Sequence, residues 1–140
     1  MSSALESMAQ ADHNQWTPLH HATKAHDAGQ VQDLLAKKAD PNAQTHHMSN
    51  ALHLAACSGP GKPDATIIAK LLIDARCSTE CQDNRGNTPL LRAAQHGTIG
   101  VAQALIDANA NAEVKNHDGQ TIIDRAKLGN HAELLSLFKA

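Results

Sequence analysis

Four short stretches of this 140-residue chain repeat one another, and their spacing limits what it can fold into. Thr17-Pro18-Leu19-His20-His21-Ala22 opens the first copy and Asn50-Ala51-Leu52-His53-Leu54-Ala55-Ala56 the second. Thr88-Pro89-Leu90-Leu91-Arg92-Ala93-Ala94 opens the third and Thr121-Ile122-Ile123-Asp124-Arg125-Ala126 the fourth. Their starts stand 33, 38 and 33 residues apart. The third copy is the most regular. Thr88 can cap a helix by accepting from an early N–H. Pro89 then sits at the first helical position, where its missing N–H costs nothing. Leu90, Ala93 and Ala94 form an apolar stripe at helical spacing, and Gly97 can supply a left-handed stop. Just upstream, Asp83-Asn84-Arg85-Gly86 reads as a tight turn with Gly86 free to take a positive φ.

A 33-residue period carrying Thr-Pro-Leu-His-x-Ala resembles the ankyrin repeat, and the resemblance runs from about Asp12 to Phe138. It implies an all-α fold: an ankyrin-repeat solenoid of four stacked helix-turn-helix repeats with short β-hairpin fingers. Residues 1–11 are then an N-terminal capping segment and residues 12–140 the repeat domain. The repeats span about 17–49, 50–87, 88–120 and 121–140. An aromatic content of 1% would starve an ordinary globular core but suits thin helices packed through Leu, Ile, Val and Ala. Val31, Leu34 and Leu35 supply the second helix of repeat one. Val101, Leu105, Ile106 and Ala110 supply that of repeat three, and Ile123, Ala126, Leu134, Leu135 and Phe138 close the array. Lys127, Asn130, Glu133 and Lys139 make its last outer side polar, as a terminal repeat requires.

Three irregularities stand out. Ala4, Leu5, Met8 and Ala9 share one helical face, which suits either a short helix over repeat one or a frayed terminus. Repeat one has His26 where the family usually has Gly, Gln30 where it has an apolar residue, and no Gly in the tip Thr45-His46-His47-Met48. A non-Gly residue there must take a costly positive φ or change the turn. Repeat one and its finger are therefore expected to open first. Repeat two carries a five-residue insertion at about Pro60 to Asp64, read as a surface loop because it holds prolines and glycines. Its Gly-Pro-Gly-Lys is not a phosphate loop, since Ala56 takes the first Gly position and Pro63 that of Ser/Thr.

Function follows from the resemblance, which implies a non-enzymatic protein–protein interaction module: an adaptor, scaffold or inhibitor. Its finger tips and inner helices would line a concave face that binds a partner protein. Carried onto this chain, the face comprises His13, Asn14, Trp16 and Lys24, then His46, His47, Ser49 and Cys57. It continues through Asn84, Arg85, Asn87, Arg92, Gln95 and His96 to His117, Asp118, Gln120 and Arg125, with Leu128 and Gly129 beside them. Trp16 is the only Trp, and Trp is enriched among interface anchors, although it could equally pack on the N-terminal segment. Lys24, Arg85, Arg92 and Arg125 make the face mildly basic, with Asp118 the main opposing charge, so an acidic contact segment would fit it.

Ten histidines raise a second reading, a histidine-lined metal or small-ligand site. The resemblance makes His20 and His53 structural ties between repeats. His13, His46, His47, His96 and His117 fall on the groove side, where they could titrate. Successive fingers hold them apart, whereas structural zinc needs four converging ligands. His20, His21 and His26 lack the i, i+4 spacing of a helical ligand pair. Cys77 and Cys81 read as small buried thiols rather than as the start of a zinc site, and Cys57 as modifiable only if exposed. No catalytic residue, metal or cofactor is expected. A net charge of −2 argues against nucleic acid bound through bulk charge. No apolar run reaches membrane-span length, and no signal peptide is evident. Three cysteines fit a reducing compartment, the cytoplasm or nucleus, and the chain is expected to be a monomer on its own.

Overall fold

A computed structural model describes residues 15–59 and 61–136. The expected N-terminal cap, His13, Asn14 and the core role of Phe138 lie outside these. Among the described residues the chain forms four helix pairs: α1 Pro18–Lys24 with α2 Ala28–Ala36, α3 Ala51–Ala56 with α4 Pro63–Asp74, α5 Pro89–His96 with α6 Ile99–Asp107, and α7 Ile122–Leu128 with α8 Ala132–Leu135. Inner helices α1, α3, α5 and α7 stack in order, outer helices α2, α4, α6 and α8 stack behind them, and each inner helix packs on its own outer one.

The inner helices start as the repeated motif dictates. Thr17, Asn50, Thr88 and Thr121 are the N-caps, and their side chains accept from the backbone N–H of His20, His53, Leu91 and Asp124. In three of the four the residue at the third helical position bonds back to the cap's own N–H, completing a capping box. Leu91 cannot do this, so α5 relies on Thr88 and on Pro89 at its first turn.

The core is a row of branched aliphatics with alanines between them. Leu19, Val31, Leu52, Ile68, Leu72, Leu90, Val101, Leu105, Ile122 and Leu134 are buried. Each contributes roughly 1.5–3 kcal/mol by leaving water. Ala22, Ala55, Ala56, Ala93, Ala94 and Ala126 are buried with them and let the thin helices approach. None of the described helices is long and apolar enough to cross a membrane.

The insertion departs from the sequence reading. α4 begins at Pro63 and runs for 12 residues, against 9 for α2 and 9 for α6. Part of the insertion is thus an added helical turn, and Pro63 and Asp64 belong to that turn rather than to a loop. A proline at the first helical position is as suitable here as in α5.

Backbone strain sits where the sequence lacks glycine. Gly86 at a finger tip and Gly97 after α5 have φ of 79° and 72°. Met48 takes the finger position at φ 65° and His26 the post-helix position at φ 59°. A left-handed non-Gly residue costs about 1–2 kcal/mol. Gln30 is exposed as well. Amide exchange should therefore be fastest in α1, α2 and the finger after them, about tenfold faster than in α5 and α6. Slowest exchange in α1 and α2 would contradict this account.

Candidate functional site

Each finger is a five-residue turn with two backbone bonds, an inner one (Met48 N–H to Thr45 O at 2.8 Å, Gly86 N–H to Asp83 O at 2.9 Å, Gly119 N–H to Asn116 O at 3.0 Å) and one that closes it through the first residue's N–H. Thr45 donates to Ser49 O at 2.9 Å, Asp83 to Asn87 O at 2.9 Å and Asn116 to Gln120 O at 3.1 Å. The fingers make hairpin turns, but none of the described residues forms a strand. Neighbouring fingers are linked by Asn84 N–H to His47 O at 2.9 Å and by His117 N–H to Arg85 O at 3.0 Å.

The residue at each finger base is buried, and its side chain organises the tip. Asp83 Oδ1 accepts from the N–H of Arg85 at 2.9 Å and of Asn87 at 3.0 Å. Asn116 Oδ1 accepts from Asp118 and Gln120, each at 3.0 Å. Thr45 Oγ1 does the same more weakly for His47 and Ser49, at 3.3 and 3.4 Å. The sequence shows Thr45 and Asp83 only as turn residues and does not mark Asn116, although each of the three stands five residues before an inner-helix cap.

His20 and His53 hold the fingers onto the helices, as the resemblance implies. Nδ1 of each accepts the N–H of its own cap residue. That leaves the proton on Nε2, which donates to Ala43 O at 3.0 Å from His20 and to Asn87 O at 2.8 Å from His53. His131 makes a similar tie from the fourth repeat to Gln95 O at 3.0 Å.

Between the fingers and the inner helices lies a cavity of about 410 Å³. Of the predicted residues it brings together His47, Ser49, Cys57, Asn84, Arg85 and Arg92, with His53 and Leu54 completing the wall. Lys24, His46, His117 and Asp118 are exposed, and Trp16, Gln95, His96, Gln120 and Arg125 are partly buried. The Trp16 ring lies 5.1 Å from that of His21 and 6.1 Å from that of His20. His46 and His47 have ring centroids 3.9 Å apart. Asn87 is corrected: it is 2% exposed, and its side chain accepts from Asn116 Nδ2 at 3.0 Å. It joins two fingers and cannot present a side chain to a partner.

The charges also differ from the sequence reading. Arg92 is bound by Asp83 rather than left free, with Nε and Nη2 on Oδ2 at 2.8 and 2.6 Å. Arg92 Nη1 reaches Gln95 Oε1 at 3.3 Å. Asp83, not Asp118, is thus the carboxylate that answers a groove arginine. Burial, followed by Arg92, Arg125, His131 and Lys24, holds His96 below the ordinary histidine value, so it is neutral at pH 7. Burial likewise raises the Cys57 thiol and pushes Cys77 up to about 12. Cys77 donates to Pro41 O at 3.0 Å. Neither is a ready nucleophile or ligand. Among the described residues no three His, Cys, Asp or Glu side chains are placed to hold a metal ion.

Comparison with known proteins agrees with this architecture. The family description "Ankyrin repeats (3 copies)" matches residues 52–139, and "Ankyrin repeat" matches residues 14–46. The Neurogenic locus Notch protein of Drosophila melanogaster is 41% identical over 93 residues, 65% of this chain and 3% of that protein. Ankyrin repeat and SOCS box protein 16 of Homo sapiens is 32% identical over 120 residues, 83% of this chain and 26% of its own length. Transient receptor potential cation channel subfamily A member 1 of Homo sapiens is 27% identical over 137 residues, 98% of this chain and 12% of its own. The chain spans less than a third of the length of these curated relatives.

Proposed function

The chain belongs to the ankyrin-repeat family, and we propose that it is a non-enzymatic adaptor or inhibitor that grips a partner protein in the groove between its fingers and inner helices. Ankyrin repeats are in general protein–protein interaction modules and are generally not catalytic. The observation that carries the reading is the cavity of about 410 Å³ walled by His47, Ser49, Cys57, Asn84, Arg85 and Arg92. Finger tips on one side and inner-helix side chains on the other give a partner two surfaces at once. Lys24, Arg85 and Arg125 leave the groove with cationic character, so the partner brings an acidic segment. The protein acts as a monomer in the cytoplasm or nucleus.

Affinity capture from cell lysate tests this. The native chain is compared with a variant carrying Trp16→Ala, Arg85→Ala and His96→Ala, checked for folding by circular dichroism. A partner held by the native chain should be lost from the folded variant. Equal retention by both would move the binding surface off the groove.

A further inference from the structure

The third and fourth repeats place the same constellation of positions side by side, and one of the two is incomplete. In the third, Asp83, Arg92 and Gln95 form a closed set. Arg92 meets a carboxylate through two nitrogens and an amide oxygen through the third. Thirty-three residues later the positions hold Asn116, Arg125 and Leu128. The carboxylate has become an amide and the amide a leucine. Asn116 directs its Nδ2 to Asn87 and Gln120, so it offers Arg125 nothing. Arg125 keeps one bond, Nη1 to Gln120 Oε1 at 2.9 Å. Its Nε is buried without a hydrogen-bond partner among the described residues. A buried donor with no acceptor is rare and costly in a finished structure. Leu128, one helical turn along α7 and so on the same face, is 68% exposed.

The surroundings do not make up the lost charge. Burial and then the neighbouring Arg92 and Arg85 bear against the Arg125 cation, while Asp118 and Asp83 favour it. Asp83 is already engaged by Arg92, and Asp118 is exposed at a finger tip. Across a gap of one repeat, the molecule thus shows both the filled and the unfilled version of one arginine site.

We infer that Arg125 and Leu128 form a receptor for an extended acidic segment of the partner, whose carboxylate gives the Arg125 guanidinium the ion pair that Asp83 gives Arg92 and whose adjacent aliphatic side chain lies on Leu128. The inference rests on the groove being the binding face and specifies which chemistry enters its half over the third and fourth repeats. Arg is suited to the task because its planar fork meets a carboxylate through two parallel bonds.

The test selects binders to the full-length chain from a display library of random peptides about a dozen residues long. Enriched sequences should carry Asp or Glu close to Leu, Ile, Val or Met. By calorimetry their affinity should fall at least about tenfold with Arg125→Gln and severalfold with Leu128→Ser. It should be partly kept with Arg125→Lys and unchanged with Lys70→Gln on α4. All variants are checked for native melting. Peptides without acidic residues, no enrichment, or binding that survives Arg125→Gln while Arg85→Ala abolishes it would overturn this inference and leave the groove reading standing. Binding indifferent to all of these substitutions would overturn both.

Discussion

Replacing Asp83 by alanine is expected to lower the free energy of unfolding at pH 7 by about 3 kcal/mol. Its side chain is fully buried and serves four donors: the N–H groups of Arg85 and Asn87 and two nitrogens of Arg92. Removing it strands two backbone donors at the base of a finger, at about 1–3 kcal/mol for each that water cannot reach. It also unpairs Arg92, whose side chain is 20% exposed and can partly rehydrate. The damage spreads because Asn87, positioned by Asp83, accepts from His53 through its carbonyl and from Asn116 through its side chain. One carboxylate therefore braces two repeats and two fingers. Asp83→Asn retains an oxygen for the backbone donors and loses the charge, so about half the cost is expected. Burial raises the Asp83 pKa, but the bonds from Arg92, Asn87 and Arg85 outweigh it and leave it below the ordinary value. Its stabilisation is accordingly present above about pH 4 and lost as pH falls through the lowered value. Urea unfolding of the two variants checks the prediction. A loss below about 1 kcal/mol for Asp83→Ala would show that the finger does not depend on it.

This node also marks the boundary of what the sequence makes legible. Thr17, Asn50, Thr88 and Thr121 announce the inner helices because capping is local: a side chain answers an N–H three residues on. Gly86 and Gly97 are legible for the same reason, since a positive φ is a property of one residue. The strain at His26 and Met48 is legible too, as missing glycines at those registers. The Asp83–Arg92 pair is different. Nine residues and a helix cap separate the two, and only the finished turn brings the carboxylate under the guanidinium. The resemblance carries Asn87 onto the concave face with the rest of its finger. Its burial depends on a finger 29 residues away. The prolines and glycines of the insertion read as a loop, whereas Pro63 starts a helix. Composition does not distinguish a proline that breaks a helix from one that opens it. Of the groove residues, Arg85 and Asn84 could be placed from the turn alone. The unfilled acceptor of Arg125 could not, because it appears only when Asn116 is seen to face Asn87 and Gln120.

Stability is expected to hold steady above pH 7 and to fall as the pH drops below about 6.5, with His53 a principal cause. Its ring is 1% exposed. Nδ1 accepts the Asn50 N–H at 3.1 Å, and Nε2 donates to Asn87 O at 2.8 Å. A second proton would have to sit on Nδ1, where it would displace that donor and leave a charge in a buried site. Burial first, with the Arg92 charge adding to it, holds the pKa below 6.5 even though Asn87 and Asp83 favour the cation. The sign follows. As pH falls through 6.5 the unfolded chain takes a proton on this residue and the folded chain does not. The unfolded state is thereby favoured, by up to about 1.4 kcal/mol per pH unit until the folded pKa is reached. His96, also held below its ordinary value, adds to the same slope. Two variants separate them. His96→Ala removes one contribution and leaves every inter-repeat bond described above intact. His53→Gln keeps an amide donor for Asn87 and cannot titrate, so it should cost about 1–2 kcal/mol at pH 7. It should flatten the slope between pH 7 and 5 by more than His96→Ala does. His53→Ala, which takes one of two donors from Asn87 O, leaves the Asn50 N–H unanswered and opens a cavity between repeats two and three, should cost about 3 kcal/mol at pH 7. Urea midpoints across this range are the measurement. A native midpoint unchanged from pH 7 to 5 would mean that the buried imidazole accepts its proton freely. The tie between the second helix pair and the Asp83–Asn87 finger would then not require the neutral ring.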